Sequence, residues 1–308
     1  MRCIHALLQQ DFPARDFEIV IVSDGYDGST FEVAGRFNVK MQPAVRYYNL
    51  TQKSGPAAAR NRGWQQALGE LIVFTDDDCV PDSGWLSAIW NKYKETGLSE
   101  AAFSGRTIVP ISTPPTDYEL NIANLEKAEF ITANCAVTKK ALLKVGGLDE
   151  RFKMAWREDS DLQFKLIEKG VNIFKVETAI VTHPVRKAKW GISIKEEKKG
   201  IFNALLYKKY PTLYKQKIRP EPPWHYYFII VCLITAVIGL VIHNEYVAVA
   251  GGSGWLLGTL WFTIKRLSST SRSADHIAEM LFTSMIIPLL SLYYRIYGSL
   301  KYGVMLIP

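Results

Sequence analysis

The sequence predicts an α/β protein: a mixed, mainly parallel sheet with flanking helices, followed by a C-terminal transmembrane helical hairpin and a helix at the membrane interface. Three observations predict it. Short, continuously apolar runs such as Leu71-Ile72-Val73-Phe74 have the length and composition of strands covered on both faces. Stretches that open like helices, with small or acidic residues ahead of apolar positions, alternate with these runs. From Trp224 onward the mixed composition gives way to long segments without charge.

Residues 16–22 (DFEIVIV) read as a strand ending in Ser23-Asp24-Gly25, with the turn residues Asp27-Gly28-Ser29-Thr30 behind it. Ligands of such sheets bind at the carboxyl ends of the strands, the edge where Asp24 falls. A carboxylate there can accept hydrogen bonds from a nucleobase or ribose, or can serve only the turn. Residues 45–50 form a second strand leading into Gly55-Pro56-Ala57-Ala58-Ala59-Arg60-Asn61-Arg62-Gly63. Small residues let this helix start pack closely. Its free N–H groups, with Arg60 and Arg62, favour an anionic ligand; without one, they are a helix start and two solvated arginines.

The strand at residues 71–74 opens onto Asp76-Asp77-Asp78 and then Cys79-Val80-Pro81. Three adjacent carboxylates repel each other, and an oxygen-seeking divalent cation such as Mg²⁺ or Mn²⁺ offsets their charge and brings a diphosphate with it. The other reading is that they cap the helix near residues 82–85. A cap needs one aspartate, so two are in surplus. Residues 146–152 (GGLDERF) make a loop able to order over a substrate. Trp156-Arg157-Glu158-Asp159-Ser160-Asp161 opens a helix with Leu162, Phe164, Leu166 and Ile167 facing inward, so its acids gather where the helix dipole favours them. Glu158 and Asp159 have a second use as a general base toward an acceptor hydroxyl. Val181-Thr182-His183-Pro184 ends a short strand with an imidazole that either completes a metal shell or is structural.

The 308 residues carry a formal net charge of +7. Basic residues concentrate at positions 186–189 (RKAK) and 195–199 (KEEKK), ahead of the apolar segments. Anionic lipid head groups account for that placement, and no nucleic-acid motif accompanies it. Cys3, Cys79, Cys135 and Cys232 lack Cys-x-x-Cys spacing, which implies neither a disulfide framework nor a zinc site. Residues 226–242 and 246–264 are free of charge and only His243-Asn244-Glu245 separates them, which predicts a tight hairpin. Lys208, Lys209, Lys215, Lys217 and Arg219 precede it and Lys265, Arg266 and Arg272 follow it, which places the N-terminal domain on the cytoplasmic side. Residues 276–302 contain Pro288 and read as a kinked interfacial helix, with a third span as the alternative. Met1 is not followed by the pattern of a signal peptide. The expected domains are residues 1–222 and 223–308.

In order, VSDGYDGST, GPAAARNRG, FTDDDCVPDSGWL, ANCAVTKKALLKVGGLDERF and WREDSDL resemble family 2 glycosyltransferases of the GT-A fold, over about residues 1–190. The resemblance implies metal-dependent, inverting transfer from a nucleoside-diphosphate sugar to a lipid-linked or cell-surface glycan acceptor at the cytoplasmic membrane face. It implies that Asp24 contacts the base and that Asp76 and Asp78 form the Asp-x-Asp element touching ribose and metal, with Asp77 the variable middle member. Arg60 joins them as an expected nucleotide-sugar contact. Asp159, paired with Glu158, is implied as the catalytic base, His183 as a less constant metal ligand, and Asn134 and Trp156 as acceptor-side residues. The C-terminal hairpin is similar to that of members acting on membrane-bound acceptors.

One feature departs from the pattern. Family members begin with an apolar strand and a Pro-Thr-Tyr-Asn-like turn ahead of a Gln-Asp-Phe-Pro-like segment, whereas Gln10-Asp11-Phe12-Pro13 here stands near the start. Losing that strand would expose an interior sheet edge. Either the start lies too late, or the chain is truncated and inactive, which favours a membrane-anchored pseudoenzyme; a nucleotidyltransferase-like enzyme, which shares metal-bound diphosphate chemistry, is the further alternative.

Overall fold

The computed structural model describes residues 1–37, 43–218 and 223–305. The expected domain boundary after residue 222, and Arg219, lie outside them. The chain divides into two units: Met1–Pro110 with Ala123–Val185, and Ile111–Ile122 with Arg186–Pro308.

In the first unit β1 (Glu18–Ser23) and β2 (Ala44–Asn49) pair in parallel as a sheet of their own. A second sheet takes β3 (Leu71–Phe74), β4 (Val80–Pro81), β5 (Ala101–Ile108), β6 (Cys135–Thr138) and β7 (Asn172–Thr182) in the order β3-β6-β5-β7-β4. β5 and β7 are parallel, with a bulge between Gly105 and Arg106; β3–β6, β5–β6 and β4–β7 are antiparallel. The α/β class and the mixed sheet are as expected, but the parallel share is smaller. A strand buried on both faces reads as an apolar run whichever way its neighbours point, and β6 (CAVT) is buried at every position.

Two cores cover the faces of the second sheet. Cys135 and Val137 of β6 enter the first, with Trp64, Leu142, Leu162 and Leu166 from the helices Pro56–Gln66, Lys139–Val145 and Glu158–Glu168. Ala136 enters the other, with Trp85 and Ile89 of the helix Trp85–Thr96, as the two-residue period of a strand requires. Thr138 accepts from Ala141 N–H and so caps the helix that follows β6.

The second unit contains the helices Trp224–Val241, Glu245–Leu267 and Ala274–Tyr302, of 18, 23 and 29 residues, each long and apolar enough to cross a membrane by length and composition. The first two form the expected hairpin. Asn244 caps the second helix by accepting from Val247 N–H. A Cβ on Gly239 would lie 2.3 Å from Ala248 N, and one on Gly251 2.3 Å from Ala236 N, so glycine lets the backbones meet. The third helix, expected as interfacial, runs unbroken through Pro288 and is by length a third candidate span. Leu240, Val241, Tyr246, Leu257 and Ile264 are exposed, an apolar outer surface suited to lipid. Inside the unit Arg266 pairs with Asp117 at 2.8 Å and donates to Thr283 at 2.7 Å, so its charge is neutralised internally.

Candidate active site

Three of the expected site residues of the first unit, Asp24, Asp76 and Glu158, meet at the Pro56–Gln66 helix or the loop ahead of it. Asp24, one residue past β1, accepts from Ser54 N–H at 2.6 Å and from Gly55 N–H at 3.0 Å, which fixes the loop ahead of that helix. Gly55 has φ +95° and packs on the neighbouring loop so closely that a Cβ would lie 2.7 Å from the Lys153 carbonyl oxygen. On the helix, Arg60 donates to Asp76 at 2.7 Å and to Glu158 at 3.1 Å. The arginine expected to hold an anionic ligand therefore ties the acids after β3 to the acids of the Glu158–Glu168 helix. Burial pulls its pKa down, but Asp76 and Glu158 outweigh that and hold it above its ordinary value.

The acidic triplet divides as its spacing suggests, with Asp77 exposed and Asp76 and Asp78 partly buried. Ligand atoms of Asp76, Asp78, Cys79 and His183 lie within 4.8 Å of one another. His183, just beyond β7, is held by its backbone N–H on the Ile108 carbonyl at 2.8 Å, and its Nε2 is 3.9 Å from Asp78. Its buried Nδ1 has no hydrogen-bond partner among the described residues. Two carboxylates and an imidazole form a donor set that fits a divalent cation such as Mg²⁺ or Mn²⁺. Cys79 belongs to this group although its sequence spacing gave no sign of it. Burial, and then Asp76, push its thiol up to about 12, so it stays protonated.

Glu158 is buried and its pKa is raised, first by burial and then by the neighbouring Asp159. Asp159 is partly buried and raised chiefly by burial; its carboxylate accepts from Ser160 N–H at 2.7 Å. The turn ahead of them places Arg157 at φ +73°, unusual for a side chain of its size, with its guanidinium 4.7 Å from the Trp156 ring centre.

Two asparagines are held by buried hydrogen bonds. Asn134, expected on the acceptor side, is fully buried: it accepts from Trp85 Nε1–H at 2.9 Å and donates to the Arg106 and Ala179 carbonyls at 2.8 and 3.0 Å. It is occupied inside the core. Asn61, passed over in the sequence, is buried and donates to the Leu148 carbonyl and to Glu150, both at 2.9 Å, while its carbonyl accepts from Leu148 N–H. It pins the loop of residues 146–152 to the helix carrying Arg60. The only signal was its place in GPAAARNRG.

The mixed sheet and the motif order are those of the GT-A fold class. Residues 1–144 match the family described as Glycosyl transferase family 2. Glycosyltransferase AglE of Haloferax volcanii is 30% identical over 102 residues, 32% of this chain and 32% of that protein. The GalNAc(5)-diNAcBac-PP-undecaprenol beta-1,3-glucosyltransferase of Campylobacter jejuni is 30% identical over 166 residues, 49% of this chain and 50% of its own. The chain thus spans a third to a half of the length of these curated relatives. Among solved structures, Staphylococcus aureus TarS 1-349 superposes with a TM-score of 0.49 at 14% identity, over 99% of this chain and 88% of that one.

Proposed function

We propose that the protein transfers a sugar, with inversion, from a nucleoside-diphosphate sugar to a hydroxyl of a lipid-linked or glycan acceptor at the cytoplasmic face of a membrane, with residues 1–222 as the catalytic domain and the C-terminal helices as its anchor. The observation that carries this is the Arg60 bridge, which brings the acids after β3 and the Glu158–Asp159 pair to one site. Asp24 lies at the base side of the donor. Asp76, Asp78 and His183 are the residues that would hold Mg²⁺ or Mn²⁺, which when bound offsets charge on the departing diphosphate. Asp159 takes the acceptor proton. Its raised proton affinity strengthens it as a base, and Arg60 keeps Glu158 in place beside it. Trp156, stacked with Arg157, walls the acceptor side. The lipid-linked glycan in the name of the Campylobacter jejuni relative, together with the three apolar helices, supports a membrane-bound acceptor.

Asp159→Asn is expected to keep donor affinity and to lower turnover by about 10²–10⁴-fold, the usual worth of a positioned base. Transfer at the parental rate would remove Asp159 from that role. A non-catalytic, membrane-anchored binding protein is the second reading, favoured by the separation of β1 and β3 into two sheets. Donor binding without any transfer by the parental chain would select it.

A further inference from the structure

Cys79 stands among the candidate metal ligands but has no part in the proposed transfer. Its place is fixed from two sides. Cys79 N–H donates to the Asp76 carbonyl at 3.1 Å and closes a turn, which leaves Asp77 exposed and brings Asp76, Asp78 and Cys79 together. β4 then pairs antiparallel with β7, Val80 opposite Thr182 and Pro81 opposite Val181. One step back along that register, Cys79 comes opposite His183, where the side chains of facing residues meet.

The four ligand atoms, one sulfur, one imidazole nitrogen and two carboxylate oxygens, lie within 4.8 Å of one another. In a tetrahedral shell with bonds of about 2.0–2.3 Å such atoms stand about 3.3–3.8 Å apart, a contraction that side-chain rotation covers. No hydrogen bond among the described residues holds the His183 Nδ1, so the ring can turn to present either nitrogen. Mg²⁺ and Mn²⁺ favour oxygen and gain little from the sulfur. With them the carboxylates do the holding, and positions stay open for a diphosphate. Zinc differs: it takes thiolate, imidazole and carboxylate in fours, and it binds a given N, O, S site more tightly than manganese does.

The geometry points to a second use of this site: Cys79, His183, Asp76 and Asp78 together bind a zinc-class cation in a closed four-coordinate shell that shuts out the diphosphate. This rests on the metal reading of the site given under the proposed function. On binding, the Cys79 S–H bond breaks, a sulfur–metal bond forms and the proton passes to solvent; no electron changes hands.

The test uses the full chain in detergent micelles with Mn²⁺, Zn²⁺ and Co²⁺ salts. Mn²⁺ binding is read first, by electron paramagnetic resonance. One equivalent of Zn²⁺ is then expected to return the free-ion signal. X-ray absorption of the zinc-loaded parent, which needs no variant, is expected to show one sulfur at about 2.3 Å among nitrogen and oxygen at about 2.0–2.2 Å. Co²⁺ in place of zinc should give a sulfur-to-metal charge-transfer band that Cys79→Ser lacks. Cys79→Ser should lower Zn²⁺ affinity at least about 100-fold, the upper end of what outer-shell partners contribute, and Mn²⁺ affinity far less. Three results would overturn the inference and leave the proposed transfer standing: a zinc shell of nitrogen and oxygen alone, a band that survives Cys79→Ser, or Zn²⁺ that binds with Mn²⁺ still in place. A parent that binds no Mn²⁺ would defeat the metal reading and this inference with it.

Discussion

Arg60 donates to two carboxylates from a side chain only 15% exposed, so its charge is committed to the protein itself. The sequence displayed it as a cation at a helix start. Its partners stand 16 and 98 residues away, a separation no local pattern reports. The acids were legible because they cluster where strands end and helices begin; their proton affinities were not, because these depend on burial. Glu158 has its folded pKa raised by burial and by Asp159. Its contribution to stability is therefore full below the ordinary glutamate range and is lost as pH rises through the raised folded value. Glu158→Gln lacks this titration and keeps an oxygen for Arg60. Thermal melts from acid to neutral pH should show the variant gaining on the parent as pH rises, by at most about 1.4 kcal/mol per pH unit.

Among the elements, β3 falls on the residues the sequence indicated, since four apolar residues between a loop and an acidic cluster admit little else. β7 extends over 11 residues where only a short strand ending at Thr182 was expected. Most of its side chains are exposed or half-buried, so no apolar run announces it. Asn134 shows the converse limit: the family resemblance put it on the acceptor side, and only packing reveals that its partners are Trp85 and two carbonyls. Asn61 holds the loop of residues 146–152 through buried hydrogen bonds. Asn61→Ala leaves the Leu148 N–H and carbonyl without those partners and should cost about 2–3 kcal/mol. Limited proteolysis should show the loop cut faster than in the parent; an unchanged cleavage rate would mean that something else secures it.

At the scale of the whole molecule, the uneven spread of charge made the division into a polar and an apolar part legible from Trp224 onward. The sidedness we propose predicts a labelling pattern for cysteines placed at exposed positions. His243→Cys, between the first two apolar helices, should react with an impermeant maleimide from outside intact cells, and Ser268→Cys only after permeabilisation. Met305→Cys, just past the third helix, should label from outside if that helix crosses and from inside if it lies at the interface. Of the native thiols, Cys3, Cys79 and Cys135 are buried and should remain silent. The meeting of Gly55 with the Lys153 carbonyl reaches furthest. It makes two motifs nearly a hundred positions apart a single mated part, so a chimera that imports either one from another protein inherits a mismatch unless its counterpart is transplanted with it.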